Sequence, residues 1–246
     1  MSNNKYVNIL GFNFLNIRKK AFFEVLKKDI SEKKNKFIVT ANPEIIMYAK
    51  KHPSYAKKIK KADYLVADGI GIIKASLFQQ QHLPERITGY DIFEFLLKRA
   101  NQNHLKIYLL GSKENVIKKV VQKINKDYPN IKIVGYQNGY YSKEESIVTS
   151  IKQTHPDIVL VATGFPKQEN FINRNLSATN AIWLGIGGSF DVFSGVVKRA
   201  PKFWQNHNIE WLYRLLTDPK RIKRQIVLPI FLIQAFLNNN NKKDGL

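Results

Sequence analysis

The feature that most constrains this chain is a recurring unit in which a short apolar run stops at a glycine or small polar residue and gives way to a helical period. In "FIVTANPEIIMYAKKH" the run Phe37–Val39 leads to Asn42-Pro43, an N-cap and first-turn pair that opens a helix. Tyr64–Ala67 stops at Asp68. A helix is expected after it, over about Gly69–Gln79, and a longer one over Asp91–Gln102. The unit returns in "LKIYLLGSKENVIKKVVQKI", at Ile131–Gly135 with a helix near Lys143–Lys152, in "DIVLVATGFPKQENFI" and in "AIWLGIGGSFDVFSG". Upstream, Ile17, Ala21, Val25 and Ile30 recur near a helical period. Strands of four to six apolar residues alternating with helices predict an α/β fold, a mainly parallel, Rossmann-like sheet flanked by helices.

The pattern changes after about Ala200. The remainder, "APKFWQNHNIEWLYRLLTDPKRIKRQIVLPIFLIQAFLNNNNKKDGL", has no strand-like alternation and reads as two helices divided at Asp218-Pro219. The expected organisation is an α/β core over residues 1–200 and a helical C-terminal appendage over residues 201–246. Residues 226–237 are apolar except Gln234. As a helix this stretch is roughly 18 Å long, against about 30 Å of hydrocarbon core, so it cannot span a bilayer. An apolar stripe after a basic one predicts a membrane-directed helix lying on an anionic inner leaflet, kinked at Pro229. Packing on the core or in a subunit interface is the competing reading.

Composition narrows the chemistry. The chain has no cysteine, which excludes disulfides, thiolate nucleophiles and cysteine-ligated metal. His52, His82, His104, His155 and His207 never approach metal-ligand spacing. Forty Lys and Arg against 19 Asp and Glu give a net charge of +21, a field that attracts nucleic acid, an anionic membrane surface or phosphorylated substrates. The N-terminus lacks a basic segment followed by an apolar core, so the expected location is cytoplasmic.

In parallel sheets ligands bind beyond the carboxyl ends of the strands. Thr40, Asp68, Ser112, Gly164 and Gly187 all fall at such ends. Neither Gly69-Ile70-Gly71 nor Gly185-Ile186-Gly187 completes a dinucleotide fingerprint, because Lys74 and Phe190 stand where the third glycine belongs. That counts against a dinucleotide-dependent oxidoreductase. No P-loop and no D-x-D occurs. What remains are turns suited to phosphate and ribose: "GSKENV", "TGFPKQENFI" and "GGSFDVFSGVVKRAP". A basic nucleic-acid-binding protein is the rival of another class, although no RNA-binding aromatic signature or zinc site supports it.

The blocks "TANPEII", "ADGIGI", "RITGYD", "GSKENV", "GFPKQENFI", "GGSFDVFSGVVKRAP" and "EWLYRL", in this order from about residue 40 to 214, resemble the signature of the WecG/TagA/CpsF family of bacterial glycosyltransferases. The resemblance implies transfer of a sugar from a UDP-activated donor to a polyprenyl-diphosphate-linked acceptor. The anomeric configuration inverts, and neither metal nor other cofactor is required. The basic tail fits the teichoic acid branch, where UDP-N-acetylmannosamine donates to the 4-hydroxyl of N-acetylglucosamine-diphospho-undecaprenol. N-acetylmannosamine uronate and glucose-type donors are within the family's range.

By the same resemblance Asp68 is the general base, and Thr40, Asn42, Arg86 and Gln168 line the sugar pocket. Asn42 has a competing role as helix cap. Gly111, Ser112, Gly164, Asp191 and Lys198 are expected at the UDP. Arg214, Arg221 and Arg224 are expected at the lipid diphosphate, reached from a peripheral position on the inner face of the cell membrane. A homo-oligomer is compatible with the chain.

Overall fold

The computed structural model describes residues 5–79, 82–201, 203, 204, 207, 210–217 and 226–243. The chain opens with a hairpin, β1 (Tyr6–Ile9) and β2 (Phe12–Leu15), followed by α1 (Lys19–Ser31). Then come β3 (Lys36–Ala41), α2 (Pro43–Lys51), α3 (Pro53–Ile59), β4 (Tyr64–Ala67), α4 (Ile70–Ser76) and α5 (Gly89–Gln102). After these follow β5 (Lys106–Gly111), α6 (Glu114–Asp127), β6 (Lys132–Gln137), α7 (Glu144–Thr154), β7 (Ile158–Ala162), α8 (Lys167–Asn175), β8 (Ile182–Gly185) and α9 (Ser189–Phe193). Helices Glu210–Thr217 and Val227–Lys243 lie in the tail.

The expected parallel sheet is present. Six strands pair in the order β4-β3-β8-β7-β5-β6, every pair parallel. Side-chain alternation sends Phe37 and Val39 to one face and Ile38 to the other, and likewise separates Val159 and Val161 from Ile158 and Leu160. Connections that move toward β4 carry α2, α3, α7 and α8 on the first face. Moves toward β6 carry α5 and α6 on the second, as right-handed crossovers require. Both faces are thereby covered, which explains why these strands read as continuous apolar runs.

Three features depart from the sequence reading. The hairpin was not anticipated. Leu10 (φ 52°) and Gly11 (φ 85°) form its two-residue turn, and Val7, Ile9, Phe12 and Phe14 join the first face's core. Helix α4 stops at Ser76 instead of continuing to Gln79. Pro229 does not kink the last helix. It stands in its first turn, where proline removes no intrahelical hydrogen bond. The expected break at Asp218-Pro219 lies outside the described residues.

The last helix docks on the first face. Phe231 and Ala235 are buried in the core there, Lys50 Nζ of α2 donates to Gln234 Oε1 at 2.7 Å, and Phe236 meets Phe78 edge-on. Gly71 opens the space that Leu228 occupies, since a Cβ there would collide with that side chain and with Pro43. No helix among the described residues is long and apolar enough to cross a membrane.

Candidate active site

The sheet order brings two groups of strand ends side by side along one edge. At the first, Asp68 N–H donates to Ala41 O at 2.9 Å and Ile87 N–H to Ala67 O at 2.9 Å, so residues 83–88 run past the end of β4 and bring Arg86 beside it. Helix α5 then starts directly at Asp68, with Gly89 N–H donating to Asp68 Oδ2 at 3.1 Å. Its first turn is fixed by a capping box, Asp91 N–H to Thr88 Oγ1 at 3.0 Å and Thr88 N–H to Asp91 Oδ2 at 3.3 Å. The positive end of a 14-residue helix therefore faces the carboxylate.

Thr40 comes from the neighbouring strand, one residue before the Ala41↔Ala67 pair. A Cβ on Gly89 would stand 3.1 Å from Thr40 Oγ1 and 3.8 Å from Asp68 Oδ2, so glycine at this helix start lets hydroxyl and carboxylate share one pocket. Asn42 does cap α2, its Oδ1 accepting from Ile45 N–H at 3.0 Å. The amide's nitrogen lies outside that bond. Arg86 pairs with Glu210 at 3.7 Å, which ties the pocket to the helix Glu210–Thr217. Thr40, Asn42 and Asp68 thus stand at the neighbouring ends of β3 and β4, with Arg86 in the segment that runs past them. Arg214 lies in that same tail helix but its side chain, like Arg221 and Arg224 altogether, lies outside the described residues.

Gln168 is used differently from a free pocket side chain. It is 5% exposed, and both ends of its amide are engaged. Oε1 accepts from Gly187 N–H at 2.9 Å, and Nε2 donates to Glu169 Oε1 at 2.7 Å. The amide packs against β8, where a Cβ on Gly185 would sit 2.7 Å from Nε2.

Beyond β8, at the ends of β7 and β5, opens a cleft of about 280 Å³. Its walls include Ser112, Lys113, Tyr140, Thr163, Gly164 and Asp191, with Gly187 and Gly188 between it and β8. Ser112 Oγ and Thr163 Oγ1 are buried there without a hydrogen-bond partner. Buried hydroxyls without a protein partner are uncommon, and both stand on residues that line the cleft. Burial pushes the Asp191 carboxyl above the usual carboxylate range, offset in part by its own backbone and by Lys113. Of the residues expected at the UDP, Ser112, Gly164 and Asp191 line this cleft. Gly111 lies beneath it, and Lys198 is exposed and stands outside the wall, although Val197 N–H donates to Asp191 O at 3.0 Å and holds that loop close.

Lys113, Tyr140 and Thr163 were missed by the sequence reading. Lys113 and Thr163 adjoin residues that it selected, in the same strand-end turns. Tyr140 follows an edge strand in "NGYYS", a turn that the sequence reading did not select. Its 75% exposure at a cleft mouth, costly for an aromatic ring, is the signal, and only the tertiary structure supplies it.

Gly111 has a structural reason to be glycine. Its φ is +128°, and a Cβ would collide with the Ala162 backbone where Ser112 N–H donates to Ala162 O at 3.0 Å. Gly111→Ala is expected to cost about 3 kcal/mol by adding a clash to a disfavoured φ. For a chain of this size that lowers the midpoint of thermal unfolding by roughly 10 °C. Calorimetry checks this, and an unchanged midpoint overturns the packing argument.

The two pockets lie on one line. Adjacent strands are about 4.8 Å apart, so the β8 turn and Asp68, two strands away, are separated by ~10 Å across the sheet. A group held in the cleft by its nucleotide-like end can therefore extend past Gly187 toward the carboxylate.

The model for the glycosyl transferase WecG/TagA/CpsF family matches residues 7–245. The N-acetylglucosaminyldiphosphoundecaprenol N-acetyl-beta-D-mannosaminyltransferase of Bacillus subtilis (strain 168) is 41% identical over 232 residues, 94% of this chain and 91% of the relative. Proteins of the same name from Bacillus spizizenii (40% identity, 82% of this chain and 79% of the relative) and Staphylococcus aureus strain NCTC 8325 (41% identity, 94% and 92%) are similar to it as well.

Proposed function

This chain belongs to the WecG/TagA/CpsF family of glycosyl transferases, and from that premise we propose that it makes the linkage disaccharide of wall teichoic acid. In this reading N-acetylmannosamine passes from UDP-N-acetylmannosamine to the 4-hydroxyl of N-acetylglucosamine-diphospho-undecaprenol, with inversion and without a metal. The observation that carries the donor side is the cleft at β5 and β7 with its unpaired Ser112 and Thr163 hydroxyls. These suit diphosphate oxygens, Asp191 suits the ribose hydroxyls, and the exposed Tyr140 ring suits stacking on a base. Gly164 keeps the wall open, Gly111 supports it, and Lys198 adds positive charge near its mouth. The names of the similar proteins support the acceptor.

Inversion is a single displacement. The acceptor hydroxyl attacks the anomeric carbon from the face opposite the leaving diphosphate and surrenders its proton as it does so. Asp68, in a pocket formed with Thr40 and Asn42, is the base. Arg86 offsets charge building on the diphosphate. Gln168 acts on the donor through the Gly187 turn. From residue 201 on, the tail is an appendage for the acceptor, with Arg214, Arg221 and Arg224 gripping its diphosphate. The last helix lies on the inner face of the cell membrane.

Purified protein given a soluble N-acetylglucosamine-diphosphate-lipid analogue, a chelator and a panel of UDP-sugars tests the reading. Disaccharide from UDP-N-acetylmannosamine alone is the expected result. Product from a uronic acid or glucose-type donor redirects it to another surface polysaccharide. No product from any UDP-sugar, together with salt-steep RNA binding, replaces it with the nucleic-acid reading that the +21 charge favours.

A further inference from the structure

Behind the Gly187 turn lies a buried acid that the mechanism above does not use. Glu169 is 2% exposed, and its Oε1 accepts from Gln168 Nε2 at 2.7 Å. The same amide's Oε1 accepts from Gly187 N–H at 2.9 Å. An amide can be seated either way round, and the two orientations differ only in which end is oxygen. Here an acceptor on one side and a backbone donor on the other leave one orientation that satisfies both. Gly185 lacks the Cβ that would push the amide away.

We propose that Glu169 is a positioning residue of the donor cleft: by accepting from Gln168 it turns that amide's oxygen toward Gly187 N–H and so sets the turn that faces the donor diphosphate. The proposal rests on the reading of the cleft as a nucleotide site. It needs Glu169 as an acceptor and not as a charge. Burial raises the Glu169 carboxyl above the usual range, which favours the neutral acid. The titratable group facing it is Tyr55 of α3, itself pushed upward by burial. The Tyr55 hydroxyl lies against the Glu169 carboxyl and, with the Gln168 amide, partly offsets that rise. Lys58 of the same helix is held by Asn170 Oδ1 at 2.8 Å.

The consequence is a dependence on pH. The unfolded chain loses the Glu169 proton near the ordinary value of 4.5, before the folded chain does, so stability falls as pH rises from there to the raised folded pKa. Glu169→Gln retains the acceptor without the titration. Its unfolding midpoint should match wild type near pH 4.5 and exceed it by a few degrees above the folded pKa.

Calorimetric titration with UDP, combined with hydrogen exchange over residues 185–191 in ligand-free protein, tests the positioning role. Glu169→Leu should weaken UDP binding about tenfold and speed exchange in that turn, the scale of one lost hydrogen bond. Glu169→Gln should recover both. Adding Glu169→Leu to Gln168→Leu should cost nothing further, because one acts through the other. UDP binding and exchange in Glu169→Leu equal to wild type overturn the proposal, as does a Gln variant no better than Leu or full additivity in the double variant. Should Glu169→Leu not fold, UDP binding and exchange in Gln168→Leu decide, and wild-type values for both reject it. Wild type that fails to bind UDP sinks the donor reading of the cleft and the proposal with it, and exchange over 185–191 then reports separately whether Glu169 orders the turn.

Discussion

Asp68→Asn is expected to lower kcat for sugar transfer by roughly 10²–10⁴-fold, the range a positioned general base contributes. The substitution is nearly isosteric, and an Asn oxygen can still accept from Gly89 N–H, the bond that Asp68 Oδ2 makes at 3.1 Å. The strand end and the start of α5 should therefore survive. UDP binding should be unchanged, because the cleft lies at β5, β7 and β8, away from β4. The informative comparison is turnover at saturating donor and acceptor against UDP affinity by titration. Turnover within tenfold of wild type would falsify the base assignment and leave Asp68 as a structural anchor for α5. Loss of UDP binding along with turnover would instead mean that the two pockets are less separate than the sheet order implies.

Replacing Ile226, Ile230, Ile233 and Leu237 together by Gln should reduce binding to anionic vesicles about a thousandfold. These four side chains are 55, 45, 59 and 54% exposed; Ile226 directly precedes the last helix, and the spacing of four, three and four residues continues along one side of it. On the other side Phe231 and Ala235 are buried in the core. Fully burying such a side chain contributes about 1.5–3 kcal/mol. These are already half-covered, so about 1 kcal/mol each remains, or ~4 kcal/mol together, which is roughly a factor of 10³. Cosedimentation with phosphatidylglycerol vesicles at fixed salt measures it, and UDP binding controls for folding. If vesicle binding persists and the variant changes from dimer to monomer, the stripe belongs to a subunit interface.

Much of this was legible because it is local. The β–α alternation, the Asn42-Pro43 helix start and the position of Asp68 at a strand end follow from side-chain periodicity and from which residues satisfy the first N–H groups of a helix. Those rules act over a few residues, and the sequence alone carried them. That Ser112 and Gly164 stand beyond strand ends was likewise legible, with the family resemblance supplying the expectation for Asp191 and the ligand's identity.

The tertiary structure decided which turns meet. Strand order is a matter of long-range pairing, and no local pattern says that β3 sits between β4 and β8, bringing Thr40 next to Asp68 and the Gly187 turn to the strand beyond. The same holds for Gln168. Its chemistry suits a sugar pocket, but Gly185 lets it lie against β8, where Gly187 and Glu169 occupy both ends of its amide. Tyr140 reaches a cleft edge through the packing of β6 at the sheet's margin. Sequence determined which chemistry stood at each strand end. Packing determined which ends became neighbours, because burial is settled between segments distant in the chain.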